Sequence, residues 1–266
     1  MPISRYREVG KICTHMTNIL ETVALTRDFG AFRAVDGVNL QVRQGSLHSL
    51  IGPNGAGKTT LFNCISAVLK PTAGRVRYDG RDITNMPLHR MTGLGIGRSF
   101  QITNIFNNIS VIENVRLAAQ ARYPKQSYQF WRHADDLPEY EARAAQALAM
   151  VGLAGRERQI AALLPHGDKR KLELAILLAG DPKLLLLDEP TAGMATEQVP
   201  ELMETIERIR ADGNRTILLV EHNMHVVMRF SDRISVLHQG RILAEGKPDE
   251  IRSNDEVQRA YLGGGF

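Results

Sequence analysis

Gly52-Pro53-Asn54-Gly55-Ala56-Gly57-Lys58-Thr59 is the stretch that decides the fold. It fits the pattern G-x-x-x-x-G-K-[ST] at every fixed position. A short apolar strand, Leu47–Ile51, runs into it. KTTLFNCISAVL runs out of it, with helical spacing at Leu61, Ile65 and Val68 and a stop at Lys70-Pro71. Strand, glycine turn and helix in this order turn an octapeptide match into a phosphate-binding loop. Its glycines let backbone N–H groups face the β- and γ-phosphates of a nucleotide, and the helix N-terminus adds a positive dipole end. Lys58 neutralises phosphate oxygens and Thr59 is the candidate Mg²⁺ ligand. Asn54, Gly55, Ala56, Gly57 and Thr60 complete the candidate cradle.

Outward from this loop, the pattern repeats the strand signal. Leu184–Leu187 is an unbroken apolar run, as in a parallel strand covered on both faces, and Asp188-Glu189 ends it. Carboxylates at the C-terminal end of such a strand face the ligand crevice. Asp188 can hold the Mg²⁺ shell there, and Glu189 can polarise the attacking water. Thr216–Val220 reads as another buried strand. Val38, Leu40 and Val42 alternate with polar residues, Arg75–Tyr78 stops at the hairpin signal Asp79-Gly80, and Ile234–Leu237 pairs with Ile242–Ala244 through Gln239-Gly240.

The middle of the chain is helical. Ser110 and Glu113 have capping-box spacing ahead of a helix over Val111–Ala121. Glu139–Val151 and Lys169–Ala179 follow, the latter opened by Pro165 and stopped by Gly180, with an irregular insertion over 123–138 before them. A further helix carries Leu202, Ile206 and Ile209 on one face, with Gly213 just past its end. The fold class expected is therefore α/β: a P-loop NTPase core with a mixed parallel sheet, an N-terminal antiparallel β-subdomain and an inserted α-helical subdomain. The boundaries read from the sequence are a tail at 1–18, the ATP-binding core at 19–103 and 181–246, the helical subdomain at 104–180, and a C-terminal tail at 247–266.

Composition narrows the classes. The 266 residues are 43% hydrophobic and 23% charged, which is globular usage. Two cysteines, Cys13 and Cys64, exclude a disulfide scaffold and a four-cysteine zinc site. No apolar run approaches the ~20 residues of a membrane span, and the N-terminal stretch has no signal-peptide core, so a cytosolic location is expected. The net charge of +4 comes with no basic cluster interleaved with aromatics, so no nucleic-acid partner is expected.

Further segments carry a resemblance. SFQITNIFNNISVIENV (Ser99 to Val115), LPHGDKRKLELA (Leu164 to Ala175), EPTAGM (Glu189 to Met194) and AYLGG (Ala260 to Gly264) are similar to segments of ABC transporter ATP-binding subunits. Within that family they look most like the ATPases of branched-chain amino acid importers. The resemblance implies roles. Phe29 sits where an aromatic stacks on adenine, although a place in the core beside Phe32 is the competing reading. Gln101 sits where a glutamine contacts Mg²⁺ and water and senses the γ-phosphate, and His222 where a switch histidine contacts that phosphate. Glu189, His222, Lys58 and Gln101 are the implied catalytic set, with Thr59, Gln101 and Asp188 around Mg²⁺. Leu164, Pro165, His166, Gly167 and Asp168 form the loop that would cap ATP held by a second subunit.

Two departures stand out. The family's common loop is Leu-Ser-Gly-Gly-Gln, whereas Pro165 has neither hydroxyl nor N–H and Asp168 adds a negative charge. The usual aspartate of the segment after Glu189 is Ala195. Both touch what this chain would lend to its partner. The resemblance implies an ATP- and Mg²⁺-dependent hydrolase at the cytoplasmic face of the inner membrane. It would be bound to permease subunits and paired with a second, different ATPase subunit. An extracellular or periplasmic solute-binding protein would supply it indirectly. Ile102, Ile105, Phe106 and Ile109 are candidates to receive a permease helix, or else core. A urea- or amide-type importer and a soluble, non-transport ABC ATPase are the alternatives. One P-loop and no sustained heptads speak against the second, and an absent N-K-x-D motif speaks against a GTPase.

Overall fold

The computed structural model describes residues 17–99, 105–121, 138–213 and 215–262. The N-terminal stretch through Met16, Gln101 and Ile102, most of the insertion, and the glycines of AYLGG lie outside them.

Three apolar runs become strands buried at every position: β3 (Leu47–Ile51), β7 (Leu184–Asp188) and β8 (Thr216–Val220). They lie at the centre of a six-stranded sheet with β6 (Ile96–Arg98), β9 (Arg233–His238) and β10 (Arg241–Gly246), in the order β10-β9-β3-β8-β7-β6. All neighbours are parallel except the β9–β10 hairpin. Side chains alternate across the sheet. Leu185, Leu187, Ile217 and Leu219 face the helical block. Leu184, Leu186, Leu218 and Val220 face the opposite layer.

The helical block holds α3 (Val111–Ala121), α4 (Pro138–Met150), α5 (His166–Leu178) and α6 (Val199–Gly213). Leu202, Ile206 and Ile209 of α6 are buried against the sheet as their spacing predicts. Ser110 Oγ accepts from the Glu113 N–H at 3.3 Å, but the Glu113 carboxylate turns to Arg116, so only half of the expected capping box forms. α5 starts at His166, earlier than the apolar period indicates, because the Pro165 carbonyl already accepts from the Lys169 N–H at 2.9 Å.

The opposite layer is an antiparallel sheet in the order β2-β1-β4-β5, built from β1 (Asn18–Phe29), β2 (Phe32–Arg43), β4 (Ala73–Tyr78) and β5 (Arg81–Asp82). With α1 (Lys58–Ile65), it buries Val38, Leu40 and Val42. α1 is shorter than its periodicity. Ala67 takes a left-handed φ of 59°, and the N–H groups of Val68 and Leu69 both turn back to the Asn63 carbonyl. A helix α2 (Leu88–Leu94) has no counterpart in the sequence reading.

The segment 247–266, read as a tail, instead carries α8 (Pro248–Arg252) and α9 (Asp255–Leu262). Ile251 and Val257 bury into a third cluster with Ile51, Ile234, Val236 and Val227 of α7 (Met224–Phe230). Two apolar anchors six residues apart give no readable period, yet each fills a buried position beside β3.

Candidate functional site

The phosphate-binding loop lies between β3 and α1, with its flanks fixed by backbone. A Cβ on Gly52 would lie 2.1 Å from the Leu237 carbonyl oxygen. One on Gly57, which has φ 100°, would lie 2.3 Å from the Ala34 oxygen. Only glycine lets β2, β9 and the loop approach this closely. The Gly240 N–H donates to the Ala56 carbonyl at 2.9 Å, and the Asp36 N–H donates to Gly240 at 2.8 Å, so the β9–β10 turn ties the loop to β2. Gly55 and Asn54 are exposed, as are Thr59 in the first turn of α1 and, in part, Thr60.

The Lys58 ammonium donates to the carbonyls of Gly52 at 2.6 Å and Pro53 at 3.1 Å. Burial pulls its pKa down, against the pull of Glu189 and Asp188, so all three charges share one region. Asp188 closes β7, where its N–H donates to Ser99 Oγ at 3.0 Å. Its carboxyl is held above the usual carboxylate range by burial first and by Glu189 second, with Arg98 opposing. Asp188 Oδ1 is buried and has no hydrogen-bond partner. A buried acceptor without a partner costs on the order of 1–3 kcal/mol, and a hard cation ligated by oxygen would satisfy it. Asp188 therefore fits as a Mg²⁺ ligand, and Thr59 stands exposed in the first turn of α1 beside Lys58. Among the described residues no cluster of three His, Cys, Asp or Glu could hold a metal.

Glu189 follows in a left-handed conformation, φ 47°, with its N–H donating to the Val220 carbonyl at 2.9 Å. That kink turns its side chain out of the strand, where it is about one-third exposed and 3.8 Å from His222 Nδ1. His222 is itself largely exposed. Between these two lies a residue that the sequence reading passed over. Glu221 is wholly buried and accepts from the Thr191 N–H at 3.1 Å, the Thr191 hydroxyl at 2.7 Å and the His222 N–H at 3.2 Å. It pins the turn after Glu189 to the turn that carries His222. Its one signal in the sequence is a charge directly after an apolar strand, as at Asp188. Arg98 is a second omission. It donates to Ser66 and Asn63 of the α1 end and reaches toward Asp188.

Phe29 stands 45% exposed at the tip of the β1–β2 hairpin, with the Arg27 guanidinium 4.6 Å from its ring centroid. It is not a core aromatic. Gln101 lies outside the described residues. Ile105 is core, Ile109 is half-buried and Phe106 is exposed. Ile160 and Leu163 are exposed as well, and the Ala161 and Ala162 N–H groups donate to the Ile109 and Asn107 carbonyls, so the two segments run side by side.

In the Leu164-to-Asp168 loop, Leu164 is buried while Pro165 and His166 are exposed. Gly167 lies beside Gln198, whose amide is 3.4 Å from where a Cβ would stand. Asp168 lines the same open pocket as Pro165 and Gly167. It pairs with Arg156 at 2.7 Å and Lys171 at 3.6 Å, and Lys171 also reaches Glu201 at 2.5 Å. The added negative charge is thus compensated within the chain. Ala195 is exposed on the next segment.

No helix among the described residues is long and apolar enough to cross a membrane. Residues 35–192 match the family described as ABC transporter, and residues 241–266 match that of the branched-chain amino acid ATP-binding cassette transporter. The chain is 40% identical over 253 residues to the high-affinity branched-chain amino acid transport ATP-binding protein BraF of Pseudomonas aeruginosa, covering 92% of this chain and 98% of that one. It is 39% identical to LivG of Escherichia coli, which bears the same description, over the same shares. Among solved structures it is similar to MJ1267, an ATP-binding cassette of an ABC transporter, with a TM-score of 0.81 at 30% identity, covering 92% of this chain and 99% of that one. The ADP conformation of MJ1267 gives the same TM-score at 29% identity, covering 93% and 99%.

Proposed function

The chain belongs to the ABC transporter family of ATP-binding subunits, and on that premise we propose that it hydrolyses ATP to power uptake of branched-chain amino acids through a membrane permease. The observation that carries this reading is the convergence of Lys58, Asp188, Glu189 and His222 at the C-terminal ends of β3, β7 and β8. The loop N–H groups and Lys58 hold the phosphates. Mg²⁺, when bound, supplies charge neutralisation at the phosphate oxygens, and Asp188 and Thr59 are the residues to hold it, with Gln101. Glu189 orients and polarises the attacking water. His222 contacts the γ-phosphate. Phe29 stacks on the base.

Phe106, Ile160 and Leu163 supply an exposed apolar surface on the helical block, suited to a permease segment. That contact would keep the chain peripheral on the cytoplasmic face of the membrane. The exposed Leu164-to-Asp168 loop is suited to cap ATP on a second ATPase subunit. A solute-binding protein would deliver substrate on the far side. The relatives named for branched-chain amino acid transport, and the match at 241–266, favour that solute class over urea or amides.

The test is uptake of radiolabelled leucine, isoleucine and valine by cells lacking this chain. We expect high-affinity uptake to be lost, restored by the parent chain, and not restored by Lys58→Ala. Normal uptake without the chain would sink the solute assignment. Restoration by Lys58→Ala would sink the role of the phosphate loop.

A further inference from the structure

Arg170 and Glu173 lie in the segment Leu164 to Ala175, just past the capping loop, and take no part in the site as described so far. They stand three residues apart on α5 and pair at 2.9 Å. Their side chains are only 13% and 15% exposed. They line a cavity of about 20 Å³ together with four leucines and with Ser99, Asp188 and Pro190, so the pair stands next to the end of β7.

Such a pair is weak glue. Removing two charges from water is costly, and their attraction offsets that cost only where the remaining donors and acceptors are met. Arg170 Nε and Glu173 Oε1 are buried and have no hydrogen-bond partner among the described residues. Well-packed apolar side chains would hold α5 as firmly. What they would not supply is a third contact. Arg170 Nη2 donates to the Ala192 carbonyl at 3.2 Å, while Glu173 takes Nη1 and so aims the guanidinium. Ala192 closes the turn that begins at Glu189, its N–H donating to the Glu189 carbonyl at 3.0 Å. We propose that Arg170 is a positioning residue for hydrolysis: aimed by Glu173, it holds the turn that carries Glu189 through the Ala192 carbonyl.

Glu189 needs such a hold. Its φ of 47° is a strained conformation for a residue with a side chain, and it persists only where the surroundings impose it. Glu221 grips the turn at Thr191, and Arg170 grips it one residue later. A water-polarising carboxylate works only when it is held in place, so a turn that relaxes loses rate before it loses nucleotide. The Ala192 contact also comes from α5, whose first residues belong to the capping loop. One side chain thus joins the helix behind that loop to the glutamate of this chain's own site.

The inference rests on the reading of Glu189 as the hydrolytic glutamate, and the test separates the two. Arg170→Met removes the contact but strands Glu173 as a buried charge, so its melting midpoint should fall by roughly 5–15 °C. Arg170→Met/Glu173→Leu removes the contact and the stranded charge together, and should melt within about 5 °C of the parent. This double variant decides the matter, and Glu189→Gln is the site control. The full-length chains are compared below their melting midpoints by ATP Kd from calorimetry, kcat and KM for hydrolysis, and NMR exchange of the Ala192 amide. For the double variant we expect kcat lowered about 10-fold, Kd and KM within about 2-fold of the parent, and Ala192 exchange about 10-fold faster.

A double variant with parental kcat overturns the proposal, and so does a lowered kcat with parental Ala192 exchange. If its ATP Kd rises as much as its kcat falls, Arg170 serves the nucleotide site at large and not the Glu189 turn, which overturns the proposal too. A double variant that regains the parental melting midpoint while kcat stays low shows that lost stability is not the cause. If Glu189→Gln turns over like the parent, the site reading fails and the inference falls with it. If Glu189→Gln is dead while the double variant is normal, only the inference fails.

Discussion

Glu189 and Glu221 are two glutamates with opposite surroundings, and their surroundings assign them different work. Glu189 is kinked out of its strand and partly exposed near His222, placed to meet a water. Replacing it by Gln removes the polarising charge and leaves the phosphate cradle untouched. Glu189→Gln should therefore bind ATP normally and lose turnover by on the order of 10²–10⁴-fold, read by calorimetry beside a phosphate-release assay. Wild-type turnover would refute the role. Glu221 accepts three hydrogen bonds and reaches no solvent, so it sets geometry for others. Glu221→Gln turns an amide N–H₂ toward donors. The misfit costs about 1–3 kcal/mol and should lower kcat about 10-fold or more while ATP Kd stays put; an unchanged kcat would leave Glu221 as structural filler. At Phe29 the exposed ring predicts a binding effect of different kind. Phe29→Ala should weaken ATP and GTP alike by about 1–3 kcal/mol, since stacking reads a π-face. A folded variant with parental affinity for both would show that the base stacks elsewhere.

At the scale of elements, the sheet that carries the site also carries a buried polar chain. His48 on β3 is wholly buried, with Nε2 2.8 Å from Ser235 Oγ on β9. Ser235 donates to Glu245 on β10 at 3.1 Å, and Glu245 pairs with Arg233 at 2.6 Å. Burial first, with Arg233 and Arg43 adding against Glu245, pulls the His48 pKa from 6.5 to about 4. Unfolded, His48 takes a proton near its ordinary pKa; folded, it refuses one until about pH 4. Between those values the unfolded chain binds more protons, so stability falls as pH drops through that window, by at most about 1.4 kcal/mol per pH unit from this group. Urea unfolding from pH 7 to 4.5 should show a shallower slope for His48→Gln than for the parent. Equal slopes would sink the assignment.

This network was not legible in the sequence, because His, Ser, Glu and Arg on three strands become neighbours only through register. The central strands were legible, since Leu184–Leu187 and Thr216–Val220 have no alternation to misread. α8 and α9 were not, for Ile251, Val257 and Tyr261 are too few to draw a period. Of the site, Gly52 to Thr59, Asp188 and Glu189 showed in local pattern. Glu221 did not, because its partners Thr191 and His222 come from separate turns.

At the scale of the whole molecule, the question is what this chain offers to a second ATPase subunit. Asp168, a charge that on paper opposes phosphate, is paired within the chain with Arg156 and Lys171. Pro165 remains a defect, with no hydroxyl and no N–H to give to a phosphate on the other subunit. Ala195 offers no carboxylate beside it, and Gln198 near Gly167 is the only side-chain amide that the neighbouring segment puts close to that loop among the described residues. Two copies of this chain would face each other with two weakened caps. A different subunit with a serine in this loop would supply one full cap to the ATP held by Lys58 and His222. Its own ATP would meet the weaker one. The Glu189→Gln form, expected to hold ATP without consuming it, isolates this contact from turnover. Light scattering should find it mostly monomeric with ATP, and Pro165→Ser added to it should shift the population to dimers, tightening association by about 1–3 kcal/mol if a charged-partner hydrogen bond is regained. Tight ATP-driven dimers of Glu189→Gln alone, unchanged by Pro165→Ser, would mean that Gly167, its neighbouring amides and the α5 N-terminus suffice as donors, and that nothing in this chain demands an unlike partner.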